Sequence, residues 1–315
     1  MSIKYLDIAL FPLMSNSDEL ESLKKYPILN SEIAISDNLW IAPIIWNIEN
    51  AILEYCEPRG LYDKYETGDG KLEEIRPIKK FQIPYAFARE KPPESDIFNW
   101  DIDGKLKGLI ALSRIIHPTS ISYQYSAKLK FNDNELVNII PGLTSGSGSK
   151  AYVAEKNRNW LTIEEAEELK ELYSAYTKRE FCDSCSRAMW FFEYASQTYF
   201  LDVRCLLVAS GIESLINTDQ DRPTKQFIYR VQKLCELLNK DFNLSSTKAT
   251  RIYNLRSKLA HGETIGNNFS KNLELYKQME DILRLSIKKF ILEDDFYSFI
   301  SDKNKVRSNW GLPKE

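Results

Sequence analysis

The sequence predicts two unlike halves, an α+β N-terminal half over residues 1–142 followed by an all-α helical bundle over residues 160–295. Three observations carry this. From Ile121 to Phe131 apolar and polar residues alternate, the period of a half-buried strand. Gly142-Leu-Thr-Ser-Gly-Ser-Gly-Ser-Lys150 then interrupts the chain with residues that favour no regular element. Beyond it the apolar spacing changes to three and four, and helix-capping residues recur.

In chain order, Ile3 to Leu13, Glu32 to Ile45 and Ile75 to Phe87 are β-branched and aromatic with prolines at their margins, which predicts short strands. Lys105 to Ile116 places Leu106, Leu109, Ile110, Leu112 and Ile116 on one helical face. The alternating strand follows, and Asn132-Asp-Asn134 turns it into Leu136–Ile140, so a hairpin is expected. Residues 143–159 read as a linker or mobile loop. Thr162-x-x-Glu165 is a capping box that opens a helix to about Lys178. Asp183 to Ser196 and Phe200 to Asn217 are the next two helices. Pro223 begins a fourth, and the Ser245-Ser246 pair caps a fifth. Asn268 to about Leu292 is the longest, and residues 296–315 read as a loosely packed polar tail. No internal repeat is present.

Composition bounds the function. The chain has 315 residues, 43% hydrophobic and 28% charged, as expected of a globular protein of two ordinary domains. A net charge of −3 argues against non-specific coating of nucleic acid. Between Ser245 and Phe290, however, nine Lys/Arg stand against four Asp/Glu, so the fifth helix and its successor are locally basic. Five irregularly spaced cysteines suit a reducing compartment. The first residues lack the basic and apolar regions of a signal peptide, and no apolar run approaches a membrane span. The expectation is a cytoplasmic protein with no membrane partner.

Most chemical motifs are missing or incomplete. Cys182-Asp-Ser-Cys185 has no second pair to complete a zinc site, and it opens a helix among helices rather than following a strand, so it reads as two helix-N-terminal cysteines. Asp101-Ile-Asp-Gly104 lacks the later ligands of a calcium loop and reads as a helix entry. His117 precedes a proline and reads as a local hydrogen-bonding residue. No phosphate-binding, dinucleotide-binding or serine-hydrolase motif occurs, and neither cofactor nor metal is expected.

The fifth helix is different. Ile252, Leu255 and Leu259 define an apolar stripe, with Arg256 within about 50° of its centre, and Gly262 stands where a helix commonly stops. A half-buried guanidinium needs a carboxylate, a carbonyl or a phosphate opposite it. His261 is one of only two histidines, at the helix end, where the dipole favours its protonated form. Upstream, Glu213 lies inside the apolar run Leu206–Ile216 and requires a cation, with Arg256, Arg230 and Arg204 available. Such a pair either fixes helix register or aims Arg256 at a phosphate.

Arg256-Ser-Lys-Leu-Ala-His261, an Arg-x4-His at the end of a late helix, resembles the signature of the HEPN superfamily of all-α domains. The wider context Ile252–Gly262 and the helix around Leu206-Leu-Val-Ala-Ser-Gly-Ile-Glu213-Ser-Leu look most like its Apea-like branch. The likeness covers roughly residues 160–295. It implies a metal-independent ribonuclease, a toxin or anti-phage effector acting on RNA, with two protomers bringing their motifs together as a homodimer and with a regulatory protein or antitoxin as a further partner. His261 would then be the general base and Arg256 the donor to the phosphorane oxygens, with Ser257, Asn254 and Glu213 in support. Ser257 stands where such nucleases often carry Asn, Asp or His. The rival expectation is a catalytically silent HEPN-fold module that dimerises through the same helices.

Overall fold

A computed structural model describes residues 5–10, 33–36, 39–43, 63–66, 72–75, 86–90, 102–118, 125–132, 135–141, 161–217, 221–238, 244–264 and 269–312. The chain divides into two compact units, Met1–Lys150 with Glu155–Tyr173, and Ala151–Ala154 with Ser174–Glu315. The expected linker at residues 143–159 lies outside the described residues.

The first unit contains eight described strands. These are β1 (Tyr5–Leu10), β2 (Ile33–Ser36), β3 (Leu39–Pro43), β4 (Asp63–Glu66), β5 (Leu72–Ile75), β6 (Ala86–Glu90), β7 (Tyr125–Asn132) and β8 (Glu135–Pro141). Six of them form one sheet in the order β2-β3-β6-β1-β7-β8, while β4 and β5 pair separately. Every pairing is antiparallel, and β1 lies between β6 and β7, with Ile8 opposite both Arg89 and Ala127. The alternating segment therefore supplies β7, and the pair Asn132↔Glu135 closes the hairpin with β8. A helix, α1 (Ile102–Ile116), precedes β7 and buries Leu109, Ile110, Leu112 and Ile116 at the spacing its sequence displays. Just past its end, His117 Nδ1 lies 3.7 Å from Glu165 Oε1.

From residue 161 onward every described element is a helix. These are α2 (Ile163–Lys178), α3 (Asp183–Gln197), α4 (Leu201–Ile216), α5 (Pro223–Leu238), α6 (Ser246–Ala260), α7 (Phe269–Leu292), α8 (Asp294–Ile300) and α9 (Lys303–Asn309). Local chemistry sets their ends. The Thr162–Glu165 capping box is complete, with each side chain accepting from the other residue's backbone N–H. Ser245 accepts from the Lys248 N–H at the start of α6. The end of α6 is a Schellman closure: Glu263 N–H donates to Lys258 O, Gly262 N–H donates to Leu259 O, and Gly262 has φ +84°, where only glycine escapes a Cβ penalty.

In the second unit α4 is the central helix, packed against α3, α5, α6 and α7. It is apolar on nearly all sides, as a helix surrounded by others must be. Gly211 permits the approach, because a Cβ there would lie 2.6 Å from Leu283 Cδ2 on α7 and 3.3 Å from Phe191 Cβ on α3.

Residues 296–310 do not form a loose tail. Phe296, Ile300, Val306 and Trp310 are buried, two i,i+4 pairs, the first on the seven-residue helix α8 and the second running from α9 to its C-cap. Polar bonds fix the same segment: Tyr297 accepts from Cys182 N–H and donates to Glu180 O, Arg179 pairs with Asp294, and Arg230 Nε donates to Trp310 O.

Candidate functional site

The fifth helix of the C-terminal series, α6, carries Asn254, Arg256 and Ser257, with His261 as its C-cap. The buried stripe lies further toward the N-terminus than the spacing predicts. Ala249 and Ile252 are fully buried, whereas Leu255 and Leu259 are only half-buried. The last two turns of α6 are therefore less enclosed than its first two. Asn254 and His261 are exposed, and Arg256 and Ser257 are half-buried.

Of the three cations available to Glu213, the structure selects Arg256, whose Nη2 donates to Glu213 Oε2 at 2.9 Å. The side chains are 31% and 15% exposed respectively, so the carboxylate is the more enclosed partner. Burial pushes the Glu213 carboxyl above its usual range, and the neighbouring Arg256 charge only partly offsets this. Arg256 Nε is buried without a hydrogen-bond partner among the described residues. The pair thus fixes one edge of the guanidinium and leaves part of the side chain open to solvent.

The other two arginines are placed differently. Arg204 Nη2 donates to Tyr276 OH at 2.6 Å and reaches Glu280 Oε1 at 3.4 Å, while Tyr276 OH donates to the same carboxylate. Arg230 Nη1 donates to Ile216 O at 3.0 Å, capping the end of α4. The Arg204–Tyr276–Glu280 cluster has little sequence signal beyond the i,i+4 spacing of its tyrosine and glutamate.

Glu213 also lines a cleft of about 800 Å³ that includes Cys182, Ser184, Arg187, Asn217 and Lys303. Lys303 Nζ donates to Ser214 O at 2.6 Å and Leu215 O at 3.1 Å, a cation placed at the negative end of α4. Burial lowers the Lys303 pKa to about 8 despite the adjacent thiols. Among the described residues no group of three His, Cys, Asp or Glu side chains could hold a metal ion, and no helix is long and apolar enough to cross a membrane.

Ser257 and His261 are joined through the backbone, His261 N–H donating to Ser257 O at 3.1 Å, and among the described residues no bond joins their side chains. Around the axis of α6, Arg256 and His261 are about 140° apart and offset by about 7.5 Å, from the helical repeat alone. One copy of this helix therefore presents the guanidinium and the imidazole in different directions. Comparison of the chain with protein-family models, with curated proteins and with solved structures found no match.

Proposed function

We propose that the chain is a metal-independent endoribonuclease of HEPN type, serving as a toxin or anti-phage effector, with Arg256 and His261 as its reacting groups. The observation that carries this reading is the half-open ion pair. Arg256 is oriented by Glu213 at 2.9 Å while its side chain stays 31% exposed, on the helix whose exposed C-cap is His261. A phosphate-binding guanidinium needs both an orienting carboxylate and a free approach.

In this mechanism the RNA 2′-hydroxyl loses a proton to His261 as it attacks the adjacent phosphorus. Arg256 balances the charge growing on the phosphoryl oxygens, and the 5′-oxygen leaves with a proton from the partner protomer's imidazole. The angular separation of Arg256 and His261 favours a homodimer in which two α6 helices face each other across a two-fold axis. Ser257 and Asn254 would hold substrate or imidazole in that arrangement. The N-terminal unit would sense a trigger, restrain cleavage or bind a partner protein.

The test is incubation of the purified chain with single-stranded RNA in EDTA. Cleavage to 2′,3′-cyclic phosphate and 5′-hydroxyl ends, absent on DNA and on fully 2′-O-methylated RNA, is the expected result. Arg256→Lys should fold but lose most activity, since a point charge does not replace a planar fork. Activity that vanishes in EDTA and returns with magnesium overturns the mechanism.

A second reading, a silent HEPN-fold interaction module, is favoured by one observation. Trp190 and Tyr194 on α3, and Tyr199 and Phe200 just ahead of α4, expose aromatic surface. Exposed aromatic clusters are typical of protein contact surfaces. Binding of a partner by a chain inert toward RNA would select this reading.

A further inference from the structure

The Cys182–Cys185 pair finds no use in RNA cleavage, yet its position is unlike that of an inert pair of helix-terminal cysteines. Cys182 is the N-cap of the 15-residue helix α3, half-buried, and lines the 800 Å³ cleft. Cys185, one turn further, is fully buried. Residues spaced by three at a helix start have Cα atoms about 5 Å apart, within the range a disulfide spans. The thiol of Cys182 lies 3.2 Å from Ser184 Oγ. Its backbone N–H is fixed by Tyr297, so the residue is held on the cleft wall from outside the helix as well as from within it.

The charged groups lining the cleft are of both signs: Arg187 and Lys303 against Asp183 and Glu213. Lys303 is anchored by two carbonyls. Such a lining suits a zwitterionic molecule, one carrying carboxylates and an ammonium group, better than a uniformly charged one. We propose that this cleft is a thiol–disulfide exchange site, in which Cys182 is the attacking nucleophile, Cys185 the resolving thiol, and a small zwitterionic disulfide of the glutathione type the oxidant.

The exchange balances in two steps. The Cys182 thiol gives its proton to solvent, and its sulfur attacks one sulfur of the oxidant. The Cys182–sulfur bond forms, the oxidant's S–S bond breaks, and the departing thiolate takes up a proton. Cys185 then loses its proton and attacks Cys182 Sγ, closing the Cys182–Cys185 disulfide and expelling a second small thiol. Two protein thiols are oxidised and one disulfide is reduced to two thiols. Ionisation follows the same division of labour. Burial opposes ionisation of Cys182, but the Ser184 hydroxyl and the first-turn groups of Cys185 and Ser184 outweigh it and lower its pKa, although the side chain makes no capping hydrogen bond. Burial raises Cys185, and it also pushes Cys205 and Cys235 up to about 12, which leaves these as silent internal references.

The test treats the reduced full-length chain with glutathione disulfide and follows the products by peptide mass spectrometry. In the wild type a Cys182–Cys185 disulfide should form, with Cys182 reacting about tenfold faster than free cysteine at neutral pH. Cys185→Ser should stop at a mixed disulfide on Cys182. Lys303→Met should slow the first step with glutathione disulfide more than with cystamine, which carries no carboxylate. Wild-type protein that halts at the mixed disulfide, or a Cys182 no faster than free cysteine, overturns the proposal. None of these readouts depends on RNA cleavage.

Discussion

Two arginine–glutamate pairs in the C-terminal unit have the same chemistry and opposite surroundings. Arg204 and Glu280 are 1% and 10% exposed, and Tyr276 occupies the space between them, its ring also lying 4.3 Å beneath the guanidinium carbon. Arg256 and Glu213 are 31% and 15% exposed, joined by a single bond with no tyrosine inserted. In both, burial drives the carboxyl upward. The difference teaches that a buried carboxylate alone does not distinguish an enclosed pair from a half-open one. What distinguishes them is whether the cation is enclosed. Arg204 is enclosed by the fold, and Arg256 keeps part of its side chain in solvent.

The largest expected effect separates chemistry from stability on the open side. His261→Ala should lower RNA cleavage by about 10³-fold, within the usual range for loss of a general acid or base. Its denaturant midpoint should stay near that of the wild type, because the side chain is exposed. Next is the enclosed pair. Arg204→Met should cost about 3–5 kcal/mol in urea unfolding by leaving Glu280 without its cation. Arg256→Met should cost about 1 kcal/mol or less while abolishing cleavage. Equal stability losses for the two would break the comparison.

The C-terminal helices were legible because their boundary signals are local. Thr162 with Glu165, Pro223, Ser245 and Gly262 each act within one turn, and each stands where its residue type requires. Glu213 could be recognised as needing a cation from its apolar neighbours, and Arg256 was among the three named. Which of the three it takes depends on how α4, α6 and α7 pack, and no spacing within one helix encodes that. The same limit hid the half-burial of Leu255 and Leu259, whose periodicity continues after their neighbours have ended. Phe296 with Ile300 and Val306 with Trp310 were overlooked because seven residues give too few turns for an apolar stripe to stand out from scattered aromatics.

A pH series sharpens the contrast further. Both glutamates have folded-state pKa values above their unfolded ones, so each contributes stability that is full below about pH 4.5 and is lost as pH rises through the folded value. Glu280→Gln removes that loss. The variant should therefore gain on the wild type as pH rises from 4 to 7, with a slope no steeper than about 1.4 kcal/mol per pH unit. Glu213→Gln should show the same sign with a shallower slope, since its site is more hydrated. A variant that instead loses ground with rising pH would reverse the assignment. The smallest effect concerns the helix end. Gly262→Ala should cost about 1 kcal/mol from its positive φ, and it should reduce cleavage by disturbing the turn that positions His261.

The involvement of residues 303–310 in the core has a consequence for the order of events during synthesis. Chains emerge N-terminus first, and a domain can begin to fold while it is still being made. The carbonyls of Ser214 and Leu215 at the end of α4 receive their ammonium from a residue translated 88 or 89 positions later. Trp310, whose carbonyl meets Arg230, arrives later still. Helices α3 to α6 can gather along α4 first, but one end of α4 stays open until residues 303–310 reach it. A released chain that stops before Lys303 would thus lack both the ammonium on the Ser214 and Leu215 carbonyls and the Trp310 carbonyl on Arg230, a species that chaperones and proteases can distinguish from the longer chain.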